Sequence, residues 1–350
     1  LYIIMTYITT GNLNAINAEL TNYCNAACPM CARYFIDGKL NKDKVNYAHT
    51  TLSWLQDKIG IGIAKQLKRF TSCGNFGDGA MNPECLEIYQ WLRSVNPDIN
   101  LSLHSNGGAR NTDFWKAMAE AGVDVTFAID GLEDTNHLYR RNVKWDKLMN
   151  NIKAYVSAGG RAGWAMLIFK HNEDQIEECR KLSKDLGIKY FQIQQSARWA
   201  DYNYIGEWIE MDRIPVGDYY LEKSSQMTAP KMGTGGNAQK ELDKMQEFEA
   251  DKKNTFKTKK INCMSCDKKV NNYEIYLAAN GDVSPCCWLG DLKQHESKNI
   301  IDDYKKVNLN YASLDEIFNG DYFRELDGGI KGNDGFYRLH TCYAMCGVSG

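Results

Sequence analysis

The sequence predicts an α/β fold built as an open or partial βα barrel. From residue 15 to about residue 194, short β-branched or apolar runs alternate with longer amphipathic ones. This alternation is typical of repeated βα units around a parallel sheet. The polar and glycine-rich segments also come after the apolar runs rather than before them. That order is typical of barrels, in which functional loops lie at the C-terminal ends of the strands.

Each predicted element follows from a local pattern. Short apolar runs predict strands at 15–21, 69–72, 99–104, 123–129, 164–169 and 189–194. Longer amphipathic runs predict helices at 52–67, 83–95, 112–121, 145–158 and 173–186. Pro83 lies in a first helical turn and Gly187 follows a helix, which is the usual start and stop chemistry of helices.

Composition limits the classes of protein that the chain can represent. Its 350 residues and 43% hydrophobic content favour one large domain, or a domain with an appendage, and exclude disorder. A formal net charge of -2 predicts no general attraction to nucleic acid or to an anionic membrane. We expect the lysines at 252–260 to form a solvated charged face. With no long apolar run and no secretory signal pattern, the sequence predicts a cytoplasmic protein with no nucleic-acid or membrane partner.

The periodic pattern ends after the sixth predicted strand. We expect the barrel over 13–207 and a linker or flap over 208–260, because glycines at 228–236 precede a charge-rich stretch. A smaller second domain is predicted over 261–350. There, residues 274–278 alternate like a strand, and the Asn280-Gly281 pair predicts a hairpin turn that leads into Cys286.

The front cysteines, Cys24, Cys28 and Cys31, form a C-x3-C-x2-C loop directly after the first predicted strand. In a reducing cytosol, cysteine clusters favour metal ligation over disulfides. Three thiolates can hold a 4Fe-4S cube only if the fourth iron finds another ligand, so this set predicts an iron that can bind a small molecule. A structural zinc ion is the alternative, but it normally takes four protein ligands and the neighbouring sequence offers no fourth cysteine or histidine.

Several segments resemble one family in the same order along the chain. Residues 19–35, ELTNYCNAACPMCARYF, resemble the cluster loop of the radical S-adenosylmethionine (SAM) superfamily, and CGNFGDGAMNPE at 73–84, SNG at 105–107, AIDG at 128–131 and NHLYRR at 136–141 resemble its later loops. The resemblance implies a partial (β/α)6 TIM-like barrel whose front cysteines hold a 4Fe-4S cluster. It also implies that SAM binds the open iron and is cleaved to a 5'-deoxyadenosyl radical.

The resemblance also implies a set of cofactor-binding residues: Met30, Gly77, Asp78, Gly79, Ser105, Asn106, Asp130 and Arg140. The segment around Asp78 is expected to receive the methionine ammonium, although Asp78 replaces the commoner glutamate. Arg140 is expected to pair with the cofactor carboxylate, for which a guanidinium fork is well suited, and Arg141 is its rival. Met30 is expected to pack on adenine.

The cofactor ribose is expected near the third and fourth loops. Ser105 and Asn106 lie in the segment that resembles the family's ribose loop. Ala128 lacks the hydroxyl that often bonds the ribose, so the resemblance leaves that contact to Asp130 or Ser105.

A second cysteine group, the back cysteines, lies near the C-terminus: Cys263, Cys266, Cys286, Cys287, Cys342 and Cys346. The spacing around Gly281 resembles the SPASM and twitch auxiliary domains of the same superfamily. The resemblance implies one auxiliary 4Fe-4S cluster, bound by Cys266, Cys286, Cys342 and Cys346, with Cys263 a possible ligand. A zinc knuckle made from Cys263, Cys266, Cys342 and Cys346 is the alternative.

The resemblance therefore implies a radical SAM enzyme that abstracts hydrogen from a peptide or protein segment. A small metabolite such as a sugar or nucleotide is the alternative substrate, and a non-catalytic metal-binding or electron-transfer module is the alternative of another class. We expect an electron donor such as flavodoxin or ferredoxin. His137, His171 and His340 are expected to be ordinary polar residues, because no metal-ligand spacing accompanies them.

Overall fold

The computed structural model describes residues 8–45, 47–196, 198–202, 208–226, 260–261, 263, 266–267, 272–293, 296–331, 336, 339, 341–342 and 346–348. The glycines at 228–236, the charge-rich stretch 240–259 and His340 lie outside these residues. Contacts divide the chain into two compact units. We call residues 19–49 and 71–238 the barrel unit, and residues 1–18, 50–70 and 239–350 the terminal unit.

The predicted α/β fold is confirmed, and all six predicted strands are present. They are β1 (Ala15–Ala18), β2 (Arg69–Ser72), β3 (Asn100–Ser105), β4 (Val123–Ala128), β5 (Ala162–Ile168) and β6 (Tyr190–Gln195). In the barrel unit, β3 pairs with β4, β4 with β5 and β5 with β6, always in parallel. Parallel strands that follow one another in this way bring the loops after their C-terminal ends to one rim.

The helices alternate with the strands as the sequence predicts. They are α1 (Leu52–Gln66), α2 (Cys85–Val95), α3 (Thr112–Glu120), α4 (Glu133–Tyr139), α5 (Trp145–Ser157) and α6 (Ile176–Asp185). The sequence does not predict α4, because its seven residues are too few and too polar to form an amphipathic pattern. Among the described residues, no helix is both long and apolar enough to cross a membrane.

An aromatic core supports the loops of the third and fourth strands. The rings of Trp115 and Phe127 lie 5.2 Å apart, and Phe127 meets Tyr155 edge-on at 5.7 Å. These buried rings join α3, β4 and α5 through contacts of favourable geometry. Gly107 fits against them with φ +68, and a Cβ there would lie 2.8 Å from the Phe127 ring. The Ser-Asn-Gly loop therefore needs glycine at this position.

The terminal unit contains the predicted hairpin. Its strands are β13 (Asn272–Leu277) and β14 (Val283–Ser284), which pair antiparallel, and β12 (Cys266–Asp267) pairs antiparallel with the N-terminal end of β13. Gly281 has φ +92, as the turn requires. Strand β13 also pairs in parallel with β1, with Ala15 opposite Glu274. The unit further contains α7 (Leu314–Phe318), α8 (Asp321–Lys331), β11 (Lys260–Ile261) and β15 (Gly347–Val348).

The segment predicted as a linker or flap contains regular structure. After β7 (Ala200–Tyr202) and β8 (Trp208–Glu210), β9 (Arg213–Val216) and β10 (Tyr219–Glu222) form an antiparallel hairpin that turns at Gly217, with φ +65. The carboxylate of Glu173 accepts hydrogen bonds from the Ser224 hydroxyl at 2.6 Å and from the Ser225 backbone N–H at 2.6 Å. These bonds attach the end of the hairpin to the loop after β5.

Candidate active site

The front cysteines lie in a tightly hydrogen-bonded loop of the barrel unit. The Cys31 N–H donates to the Cys28 carbonyl at 3.1 Å, and the Ala26 N–H donates to Cys24 Sγ at 3.4 Å. The Arg33 guanidinium donates to the Ala26 carbonyl at 3.4 Å, which ties the end of the loop to its start. These bonds hold the three thiols close enough for their charges to act on one another.

Burial raises the pKa of two of these thiols, those of Cys24 and Cys28. Burial raises the pKa of the Cys28 thiol to about 11, against the opposing charge of Arg140. Burial, and then the charge of Asp78, raises the pKa of Cys24 well above its ordinary value. Such thiols keep their protons at neutral pH unless a metal replaces them. Among the described residues, no three cysteine, histidine or carboxylate groups converge on a single metal ion, but a 4Fe-4S cube takes one thiolate per iron.

Arg140 contacts both the cluster loop and the end of β4. Its Nη1 lies 3.7 Å from Cys28 Sγ, and its Nε donates to Asp130 Oδ2 at 2.6 Å. Asp130 is 0% exposed, and its other carboxylate oxygen accepts the Leu167 N–H at 2.6 Å. The charges of Asp130 and Cys28 raise the pKa of Arg140 above its ordinary value despite burial. Arg141, the predicted rival, contributes its backbone carbonyl to the Ala27 N–H.

Asp78 links the second and third loops. It is 3% exposed, and its Oδ2 accepts hydrogen bonds from the Ser105 hydroxyl at 3.0 Å, the Asn106 backbone N–H at 2.8 Å and Asn106 Nδ2 at 2.6 Å. Its Oδ1 accepts the Ala80 N–H at 3.1 Å. Burial raises the pKa of Asp78, and the hydrogen bonds from Asn106 and Ser105 oppose that shift. The predicted ammonium ligand is thus also an acceptor for the loop expected near the ribose.

The glycines on either side of Asp78 allow close backbone approach. A Cβ at Gly77 would lie 2.0 Å from the Thr21 carbonyl oxygen, which belongs to the segment just before the front cysteines. A Cβ at Gly79 would lie 2.8 Å from Leu103 Cδ1. At Gly77 the clash is with backbone, so that position requires glycine whatever it binds, whereas at Gly79 the side chains of Leu103 and Ser72 would have to shift to admit a Cβ.

Glu19 is an important site residue that the sequence did not predict. Its carboxylate is 2% exposed and accepts three consecutive backbone N–H groups, from Asn75 at 2.9 Å, Phe76 at 3.1 Å and Gly77 at 2.8 Å. Oriented N–H groups of this kind form an anion-binding concavity. The signal in the sequence is weak, because one acid at a strand end is a common surface residue. We infer that Glu19 fixes the loop that carries Asp78.

Other residues that the sequence analysis named also lie in the barrel unit. Met30 is buried, and its carbonyl accepts a hydrogen bond from Arg198 at 3.4 Å. His171 follows β5 and stacks on Phe169 at 5.4 Å. Burial, and then the charge of His137, lowers the pKa of His171 to about 4, so it is neutral at pH 7. His137 itself is exposed.

Several back cysteines come together in the terminal unit. Burial raises the pKa of the Cys286 thiol, and the charges of Cys287 and Cys263 act in the same direction. Tyr322 lies near both Cys286 and Cys342, since the charges of both thiols act on its pKa, which burial raises. Cys346 is half-buried. The backbone of Cys266 lies in β12, opposite Tyr273. The structure therefore brings Cys263 and Cys287 to the same place as the expected ligand Cys286.

Comparison with known families agrees with this geometry. A model of the radical SAM superfamily matches residues 18–183, and a model of the SPASM iron-sulfur cluster-binding domain matches residues 266–347. The chain belongs to the radical SAM superfamily. A 4Fe-4S cluster and SAM are the cofactors of this superfamily, and the SPASM domain implies auxiliary iron-sulfur clusters. A search of curated proteins found no significant match.

Similar solved structures support the fold. Streptococcus suis SuiB bound to the precursor peptide SuiA is 12% identical with a TM-score of 0.51, over 88% of this chain and 66% of SuiB. The protein anSMEcpe with bound AdoMet and a peptide is 14% identical with a TM-score of 0.54, over 96% of this chain and 88% of that one. The chain spans 62 to 66% of the length of the SuiB structures that it matches. At these identities the likeness shows the fold alone.

Proposed function

We propose that this radical SAM enzyme abstracts hydrogen from a peptide or protein segment, with the front cysteines as ligands of its catalytic cluster. The observation that carries the site is the placement of a half-buried guanidinium, that of Arg140, 3.7 Å from Cys28 Sγ of the three-thiol loop. When bound, the cluster and SAM supply a 5'-deoxyadenosyl radical that removes hydrogen from an unreactive carbon.

The protein's contribution is to position the cofactor. Arg140 uses Nε and Nη1 within the described residues, and Nη2 makes no hydrogen bond there. We assign Nη2 to the cofactor carboxylate, because a guanidinium donates well to carboxylates. Asp78, with Gly77 and Gly79, is assigned to the ammonium side. Ser105, Asn106, Asp130 and Met30 keep their expected places at the ribose and adenine.

The preference for a peptide substrate comes from the solved structures. SuiB is described with its precursor peptide and anSMEcpe with a peptide, and both share the fold of this chain. This likeness supports a peptide or protein segment over a small metabolite. A flavodoxin or ferredoxin is the electron donor that fits a low-potential 4Fe-4S cluster, and the cytoplasm is the compartment where such donors act.

The domain organisation is part of the proposal. We assign the radical SAM barrel to 13–207, the connecting segment to 208–260 and the auxiliary domain to 261–350. The two matched ranges support the first and last assignments. One auxiliary 4Fe-4S cluster would take four ligands from Cys263, Cys266, Cys286, Cys342 and Cys346. The grouping of Cys263 with Cys286 supports Cys263 as a ligand.

Anaerobic reconstitution tests the catalytic proposal. The protein should be brown, bind about eight irons in two cubes and release 5'-deoxyadenosine when dithionite and SAM are added. The Cys28→Ala variant should release none. A colourless zinc protein without cofactor cleavage would contradict the enzyme assignment.

The substrate class needs its own assay. Peptides encoded beside the gene are incubated with the reduced enzyme and SAM, and their masses are measured against the Cys28→Ala control. A mass change in a peptide is expected. Turnover of a small metabolite with no modified peptide would overturn the peptide assignment and keep the radical SAM one.

A further inference from the structure

We propose that Asn106 is a redox-tuning residue, whose side-chain amide donates a hydrogen bond to Cys24 Sγ and thereby raises the reduction potential of the cluster bound there. The inference rests on the proposed cluster site. Under this inference, Asn106 acts on the cluster before any SAM is bound, in addition to its expected position near the ribose.

The contact joins a buried amide to a half-buried thiol. Asn106 is 4% exposed, and its Nδ2 lies 3.6 Å from Cys24 Sγ. The same nitrogen lies 2.6 Å from Asp78 Oδ2 and 3.0 Å from Asn25 Oδ1. An amide group has two N–H hydrogens. We assign one to the carboxylate, the nearest acceptor, and the second to the Asn25 oxygen and the Cys24 sulfur together.

The orientation of the Asn106 amide follows from its network. Its Oδ1 accepts the Gly108 backbone N–H at 2.9 Å and a hydrogen of Asn25 Nδ2 at 3.2 Å. A backbone N–H can only donate, so it requires the oxygen on that side. The NH2 group must then face Asp78 and Cys24. Exchanging oxygen and nitrogen would bring the amide oxygen against a carboxylate and a sulfur at once.

The expected effect follows from electrostatics. Reduction adds negative charge to the cluster and its thiolates, and an N–H donor stabilises the more negative state more strongly. Hydrogen bonds to the sulfurs are among the factors that set cluster potentials. The Asp78 carboxylate holds the Asn106 amide in place, so Asp78 affects the cluster indirectly, by positioning this donor. Removing the amide should make the front cluster harder to reduce.

The test compares two neighbouring substitutions. Asn106→Leu keeps the shape of the side chain and removes its N–H groups. Ser105→Ala is the matched control, because Ser105 also donates to Asp78, at 3.0 Å, and has no described contact with sulfur. The midpoint potential of each reconstituted protein is measured without SAM by EPR-monitored titration. The front cluster is the signal that changes when SAM is then added.

We expect a lower midpoint potential in Asn106→Leu and the wild-type potential in Ser105→Ala, with equal iron contents. An unchanged potential in Asn106→Leu, or an equal shift in both variants, would overturn the inference. If the wild-type protein binds no iron at the front cysteines, the proposed function fails as well, so the iron count separates the two failures.

A measurement on the wild-type protein avoids any folding defect of the variant. The protein is labelled with 15N at asparagine side-chain amides, reconstituted and reduced without SAM. Pulsed EPR should then detect a 15N coupling to the front cluster. A spectrum without that coupling would overturn the inference.

Discussion

The two cysteine groups of this chain differ in what surrounds their sulfur atoms. At the front, Cys24 and Cys28 receive side-chain N–H groups from Asn106 and Arg140. At the back, the partners described for Cys286 are other cysteines and backbone N–H groups of the turn that follows it. Side-chain donors can change partners when a small molecule binds, whereas backbone donors are fixed by the fold. The surroundings of Cys24 and Cys28 suit a cluster with an open iron, and those described for Cys286 suit a cluster that stays closed.

Removing one front thiol gives the largest expected effect. Cys28→Ala should lose about four irons and all formation of 5'-deoxyadenosine. The mirrored variant Cys286→Ala should lose back iron and still cleave SAM, because the front site is intact. Iron analysis and chromatography of the nucleoside products check both. Cys179→Ala, at a buried cysteine of α6, is the control and should keep both clusters. Equal loss of cleavage in the front and back variants would show that SAM cleavage depends on both cysteine groups alike.

Removing the front guanidinium should cost stability. Arg140→Met leaves the fully buried Asp130 carboxylate without its ion-pair partner, and breaking such a pair costs about 3–5 kcal/mol. The free energy of unfolding of the metal-free protein is measured by chemical denaturation.

Two controls accompany the Arg140 variant. The double variant Arg140→Met with Asp130→Asn should recover part of the loss, since no buried charge remains. Arg161→Met breaks the exposed pair with Asp124 and should change stability by less than about 1 kcal/mol. Equal losses for Arg140→Met and Arg161→Met would show that burial of the front pair carries no special cost.

Glu19 offers a test of the loop that carries Asp78. Glu19→Gln places an NH2 group against backbone N–H donors, and losing these charge-assisted bonds should cost about 2–3 kcal/mol. The distorted loop should weaken SAM binding about tenfold or more, with front iron retained. Calorimetric titration of the reconstituted protein measures the affinity. Glu87→Gln, at an exposed acid of α2, is the control. Wild-type affinity in Glu19→Gln would argue against a positioning role.

The smallest effect is expected at the back. Tyr322→Phe removes the 2.9 Å hydrogen bond between the Tyr322 hydroxyl and Ser297 Oγ. The free energy of unfolding should fall by about 1 kcal/mol. Back iron should be retained, because the aromatic ring stays in place. Denaturation and iron analysis check this result. Loss of back iron would mean that the back surroundings depend on a side-chain donor as the front ones do.

Local patterns in the sequence predict much of the fold. The strands and the loops after them are visible because apolar runs and glycines mark them, as in the segment around Asp78. Helix α4 is not predictable in this way, because its residues are mostly polar and it owes its place to packing. The sequence does not predict the β9–β10 hairpin for a similar reason: the turn at Gly217 lies within an aromatic and charged stretch that has no clear strand pattern.

In the candidate site, too, local sequence predicts some residues, and only long-range contacts reveal the others. Cysteine spacing predicts that the front cysteines are cluster ligands, because the number and order of ligands can be read from the sequence. Glu19 was missed because its three N–H partners lie more than fifty residues away along the chain. The network of Asp78, Asn106 and Cys24 joins three separate loops, so only the folded chain displays it. The pairing of β13 with β1 likewise joins segments that are far apart in the sequence.

That last pairing has a consequence for how the protein is made. The edge that β1 presents to β13 finds its partner only after residue 277 has been synthesised, because Ala18 lies opposite Leu277. Contacts between distant parts of a chain slow folding, and an unpaired strand edge favours aggregation while it waits. The strand that leads into the first cysteine loop is therefore completed late in translation. A chain truncated before the hairpin should be recovered in inclusion bodies, even though all three front cysteines are present.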